Sequence, residues 1–190
     1  MLRVGGLDLA GVESRPSGAA LLDGDRLFLA LLYTDSEICG FFREKKPRVI
    51  ALDAPLGFPA SGKKLRDADR ALLLMGLRVL PPVWSGMKKL VLRALRLVEC
   101  LYNMGVGVVE THPASALKTS GCRSLQELLE AAGLKPLARK HVSRDEADAA
   151  IAAIVAKYFS EGRASCITRI DGEICLLPKI CDREDEFESP

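Results

Sequence analysis

VIALDAPLGFP, residues 49–59, is the stretch on which the fold turns. Its first four residues, Val49 to Leu52, are continuously apolar, as expected of a strand buried on both faces in a parallel sheet. The run stops at Asp53-Ala54-Pro55, so an acid stands at the carboxyl end of the strand, where open α/β sheets place their ligands. The pattern recurs at Val106–Val109, which runs into Glu110-Thr111-His112-Pro113. Upstream, LRVGGLDL (2–9) predicts a strand that tolerates two glycines and carries Asp8 between Leu7 and Leu9.

The rest of the chain is arranged around these three strands. Apolar runs at Gly18–Leu22 and Arg26–Tyr33 flank Asp23-Gly24-Asp25, a strong hairpin signal. Ser36 can cap a helix that runs to about Lys46, where Pro47 stops it. Leucines at i, i+3, i+4 spacing predict helices over 64–79 and 87–103, separated by Pro81-Pro82, with Gly105 ending the second. A short helix is expected near Ser124–Ala132. A long one is expected over Ser143–Phe159, opened by a Ser143/Glu146 capping box and closed by Gly162. Cys166–Ile170 and Glu173–Leu177 flank Asp171-Gly172 as a second hairpin. No repeat or interdomain linker interrupts the pattern. The expectation is one α/β domain over residues 1–181, a mixed five-stranded sheet covered by helices with an extra C-terminal β-hairpin. Residues 182–190 read as an acidic, disordered tail.

A chain of 190 residues with 48% hydrophobic content suffices for one packed core. The opening residues lack a signal-peptide core, and no window approaches a membrane span, so a cytoplasmic protein is expected. The net charge of +2 is unevenly spread: residues 1–181 hold 26 basic against 20 acidic side chains, and the tail is acidic. Basic clusters at Arg43–Arg48, Lys63–Arg70, Lys88–Arg96 and Lys135–Arg144 suit a phosphate backbone, although solvated helix faces explain them equally well. None of the six cysteines forms a Cys-x-x-Cys pair, which argues against zinc and for scattered core cysteines in a reducing compartment. A single Asn103 and a single Gln126 suggest a thermophile, in which disulfides become an open alternative, with no pairing assignable.

The acids carry the chemistry. An ionised Asp8 inside an apolar strand costs several kcal/mol unless something pairs with it. Asp145 and Asp148 lie three apart and share a helical face that continues through Ala152, Val155 and Phe159, the stripe that must pack on the sheet. A first-turn position excuses Asp145 as a partner of the helix dipole, an excuse that weakens for Asp148. Converging carboxylates repel unless cations sit among them, and oxygen donors with only two histidines in the chain favour Mg²⁺ or Mn²⁺. Two such ions would suit phosphodiester hydrolysis.

At these residues the sequence resembles a known group. GLDLAG (6–11), RPSGAAL (15–21), VIALDAPLGFP (49–59), VVETHPASALK (108–118) and DEADAAIAA (145–153) together resemble the domain-of-unknown-function family 429. The resemblance implies an RNase H-like fold and a metal-dependent nuclease acting on a nucleic acid. The acid pattern is also similar to that of bacterial Holliday-junction resolvases, which implies metal and catalytic roles for Asp8, Asp53, Asp145 and Asp148. Glu110 belongs to the narrower motif, and its role stays open between direct metal contact and outer support.

Further candidates have plainer alternatives. His112, two residues past Glu110 and so on the same side of a strand, could orient water or move a proton, or be a satisfied structural histidine. His141, just before the long helix, could contact a phosphate but reads rather as a surface-loop residue. Arg66 and Arg70 could grip phosphate, whereas an ion pair with Asp69 accounts equally well for Arg66. Trp84, in a proline-rich loop, could stack on a base, but reads rather as a buried anchor. An actin-like phosphotransferase would need a second domain for which 190 residues leave no room. A catalytically silent nucleic-acid-binding or scaffold protein of the same fold is the competing class.

Overall fold

The computed structural model describes residues 2–137 and 141–182, so the expected tail lies almost wholly outside the described residues. The elements follow in the order β1 (Arg3–Asp8), β2 (Ser17–Asp23), β3 (Arg26–Leu32), α1 (Asp35–Lys45), β4 (Val49–Asp53), α2 (Asp67–Leu74) and α3 (Ser85–Asn103). They continue with β5 (Gly107–Thr111), α4 (Pro113–Ser120), α5 (Leu125–Ala131), α6 (Arg144–Ser160), β6 (Ser165–Arg169) and β7 (Gly172–Leu176). The strands form one mixed sheet in the order β3-β2-β1-β4-β5-β7-β6. The meander β1–β3 is antiparallel, β1, β4, β5 and β7 run parallel, and the C-terminal hairpin joins the same sheet through β7.

Alternation along the strands divides the interior into two cores. Val4, Ala20, Leu22, Val49 and Ala51 face α6, together with α2, α4 and α5. Leu7, Ala19, Ile50 and Leu52 face α1 and α3, where Ile38, Phe42, Ala94, Leu97 and Leu101 pack. Helix α6 is buried nearly all round from Ala149 to Ala156, as a helix with apolar residues on every side must be. It approaches the sheet at backbone distance. A Cβ at Gly6 would overlap the backbone of Ala149 and Ala153, and one at Gly18 would overlap the Asp145 carbonyl. Gly6 of β1 and Gly18 of β2 are therefore the seat of the helix, while Gly5 makes room for Phe42 and Ile50 on the other face.

Several local expectations need correction. Thr34, not Ser36, caps α1, because Glu37 three residues on completes a capping box with it. Helix α2 is shorter than 64–79: Arg66 is its N-cap, and Gly76 at φ 72° lies just past its end. Helix α4 was not foreseen, although Pro113 in its first turn is a start signal. The cysteines are not scattered free thiols. All six are paired, as Cys39–Cys100, Cys122–Cys181 and Cys166–Cys175. The last pair joins residues directly opposite each other on β6 and β7. No helix among the described residues is long and apolar enough to cross a membrane.

Candidate active site

Asp8 and Asp53 end adjacent parallel strands and are register partners, both on the α6 face of the sheet. On the other side of Asp8, Gly18 is its antiparallel partner. Because Gly18 has no side chain, the first turn of α6 settles there and brings Asp145 alongside Asp8. Asp148 follows on the next turn, partly buried, with Arg144 3.5 Å from its carboxylate. The backbone meets the sheet at Asp145, Ala149 and Ala153, which turns the facing stripe from the expected one and leaves Asp148 at its edge. Glu146 instead closes the capping box, taking the Ser143 amide and hydroxyl, both at 3.0 Å.

Four carboxylates from three elements thus share one end of the sheet, and the electrostatics record it. Burial, then the charges of Asp148 and Asp145, push the Asp8 carboxyl up to about 7. Burial, then Asp8 and Asp148, hold Asp53 well above the usual carboxylate range. Burial also raises Asp148, against the pull of Arg144. Each shift is the signature of a charged group short of counter-charge. No three of the four bring ligand oxygens within 4.8 Å of one another. Among the described residues that spacing is met by Cys166, Glu173 and Cys175, whose cysteines are bonded to each other.

Glu110 stands apart from this set. It pairs in register with Leu52, while Asp53 pairs with Thr111, so Glu110 sits one residue short of the level of Asp53, and its charge adds to the upward push on that carboxyl. Its carboxylate accepts from both terminal nitrogens of Arg66, at 2.8 and 2.5 Å, and from the Leu56 amide at 2.8 Å. Arg66 is 1% exposed and is also bonded to Asp69 through Nε and a terminal nitrogen. Burial raises Glu110 against the pull of Arg66, while the two acids hold the Arg66 guanidinium firmly protonated. The expectation that Arg66 contacts phosphate gives way here: its donors are spent on Glu110 and Asp69. Arg70 is exposed and forms no ion pair among the described residues.

His112 is the N-cap of α4. Its Nδ1 lies 2.6 Å from the Ser115 hydroxyl, and burial lowers its pKa. His141 is exposed, as foreseen. His112 shares with Asp8, Asp53, Glu110 and Arg66 a cavity of about 200 Å³ whose far wall is apolar, formed by Leu72, Leu80, Met87 and Leu90. A second, more polar cavity opens on the other side of Asp8, between Arg15 and Asp145. Arg15 is exposed and was given no role in the sequence; its turn, with one proline at Pro16, gives no local sign of nearness to α6. Arg93 was also missed. Buried among leucines of α3, it donates to the Asp35 carboxylate and to the Ala10 and Tyr33 carbonyls. With Ser17, whose hydroxyl accepts from the Ala10 amide, it fixes the chain just past Asp8. Trp84 is not the buried anchor expected of it, being 55% exposed.

This architecture has counterparts among solved structures. A Thermus thermophilus RuvC in complex with a Holliday junction substrate superposes with a TM-score of 0.57 at 15% identity, covering 85% of this chain and 97% of that one. The fold is RNase H-like. A second Thermus thermophilus RuvC structure matches with a TM-score of 0.49 over the same shares at 15% identity. A trimeric exonuclease, PhoExo I of Pyrococcus horikoshii, reaches a TM-score of 0.28 at 12% identity, over 95% of this chain and 88% of that one. No protein-family model and no curated protein matches the chain, so its likeness to family 429 rests on the motifs quoted above.

Proposed function

We propose that the chain is a divalent-metal-dependent nuclease in which Asp8, Asp53, Asp145 and Asp148 hold Mg²⁺ or Mn²⁺, most simply as two ions. The observation that carries this is the convergence of β1, β4 and α6 on a carboxylate cluster whose Asp8 is pushed up to about 7. The donor set fits hard cations, since it offers carboxylate oxygen alone. When bound, such ions polarise a phosphodiester and stabilise its developing negative charge.

The remaining roles follow from the chain's own contacts. Glu110 and Arg66 are positioning residues: they clamp Leu56 and so fix the loop that leaves Asp53. His112, kept neutral by burial and held at Nδ1 by Ser115, is suited to orient water or accept a proton through its other ring nitrogen. Arg15, facing Asp145 across the polar cavity, replaces Arg66 as the proposed phosphate contact, with Arg70 further out. Six paired cysteines in a chain with one Asn and one Gln suit a cytoplasmic protein of a hyperthermophile.

The test is a calorimetric Mn²⁺ titration, followed by cleavage assays on single-stranded, hybrid and branched substrates. Saturable binding and EDTA-sensitive cleavage are expected; no Mn²⁺ binding at millimolar concentration would sink the site. One observation favours a catalytically silent binder instead: the aspartates do not close to a common coordination sphere. Metal binding without cleavage of any substrate would select that alternative.

A further inference from the structure

Helix α3 opens with Trp84 at its N-cap and Ser85, Gly86 and Met87 in its first turn. Trp84 is 55% exposed and Leu80 is 56% exposed, and both line one open groove with Met87. Leu80 and Met87 are also the outer wall of the cavity that holds Asp8 and Asp53. One apolar surface therefore runs without a break from the carboxylates to the indole. Arg78, Lys88 and Lys89, next in sequence to the lining residues Val79, Met87 and Leu90, are exposed and form no ion pair among the described residues. An exposed indole costs free energy in a folded protein unless a partner covers it. A partner that is flat and aromatic, and that carries negative charge alongside, matches the groove, these cations and the neighbouring acid cleft together. A nucleobase is such a group only when its face is free, because in a continuous duplex both faces are stacked on neighbours.

Resting on the nuclease reading above, we propose that Trp84, supported by Leu80 and Met87, is a stacking platform for an unstacked base flanking the scissile phosphate. The substrate class is then a strand with unpaired bases, single-stranded or at a branch, rather than an uninterrupted duplex.

Trp84 is the sole tryptophan, so emission excited beyond the absorption of the three tyrosines reports this one position. The protein is titrated with a fluorescein-labelled single-stranded oligothymidylate in Ca²⁺, a cation chosen to hold the acids without supporting turnover. Anisotropy of the label reads binding, and unlabelled strand is used to read Trp84 emission. Binding with quenching of Trp84 is expected, and a blunt duplex of equal length should quench far less. W84F should bind nearly as the parent does. W84A, losing a stacked base at an exposed position, should bind about 5- to 150-fold more weakly while melting at the same temperature. Binding by anisotropy with unchanged Trp84 emission, or equal affinity of W84A, would overturn the platform and leave the nuclease reading standing. Absence of any binding, together with absence of cleavage, would overturn both.

Discussion

Gly18 lies against the backbone carbonyl of Asp145 with no room between them for a Cβ. Since Gly18 also faces Asp8 across the β1–β2 ladder, this single missing side chain sets the distance between the strand acid and the helix acids. In Gly18→Ala the methyl meets helix backbone, which cannot swing aside, so α6 must lift. A loss of about 1–3 kcal/mol or more in urea denaturation is expected, with Mn²⁺ affinity falling roughly 10–100-fold. Gly40→Ala is the control, because nothing lies within 4 Å of that position and stability should hold or rise.

The metal-free protein should grow more stable as the solution is acidified toward about pH 5. Asp8 titrates near 3.8 in the unfolded chain but near 7 in the fold. A group raised in this way contributes its full stabilisation below the lower value and loses it as pH climbs through the upper one. Asp53 acts in the same direction. Melting temperature should therefore rise from about pH 8 down to about pH 5 without metal. Saturating Mn²⁺ should reverse the trend, because protons then compete with the cation. Asp8→Asn should flatten the metal-free profile, and an unchanged slope would show that Asp8 ionises normally.

Arg66→Ala separates a structural guanidinium from a phosphate-binding one. Removing it leaves Glu110 and Asp69 buried without their cation, which should cost about 3–5 kcal/mol. Arg66→Lys should recover only part, since one ammonium cannot reproduce the fork that meets Glu110 through two nitrogens. Thermal melts check this. Normal stability with weakened oligonucleotide binding would return Arg66 to the phosphate.

Neighbouring acids on α6 should behave unlike each other. Glu146→Ala removes half of the Ser143 capping box and should cost about 0.5–2 kcal/mol with modest effect on metal. Asp148→Asn should cost metal affinity and cleavage with little loss of fold, because its neighbours are acids and the exposed Arg144. Melting curves and Mn²⁺ titrations on the two variants read the difference directly.

How much of this was readable from the residues alone follows from the range over which each signal acts. Val49–Leu52 and the Ser143/Glu146 box announce themselves within a few positions, and the expected strand and α6 capping box are both present. The opening of α4 was missed because its buried positions, Pro113, Ser115, Ala116 and Ser120, form no leucine stripe. Helix α2 was overextended because the leucines at 72, 73 and 74 continue a helical pattern that Gly76 then ends. The clamp on Glu110 could not be seen, since its partner Arg66 lies 44 positions away. Asp69 was anticipated as a partner of Arg66 because it lies three residues on, but Glu110, the partners of Arg93 and the three disulfides are set by tertiary packing. Trp84 misled for the opposite reason, since burial is the usual fate of a lone tryptophan in a proline-rich loop.

The disulfides also decide how the molecule responds to force. Pulled from its two ends, an oxidised chain cannot extend the segments closed by Cys39–Cys100 and Cys122–Cys181, which span 61 and 59 positions. At the reach of an extended backbone that withholds about 400 Å of contour length. The Cys166–Cys175 bridge lies within the second segment and withholds nothing more. Asp53 sits in the first shielded loop, and Asp145 and Asp148 sit in the second. Under tension β1 to β3, with Asp8, and the unbridged stretch 101–121 between the two loops can extend, which draws Asp8 and Asp53 away from Asp145 and Asp148 while each loop stays closed.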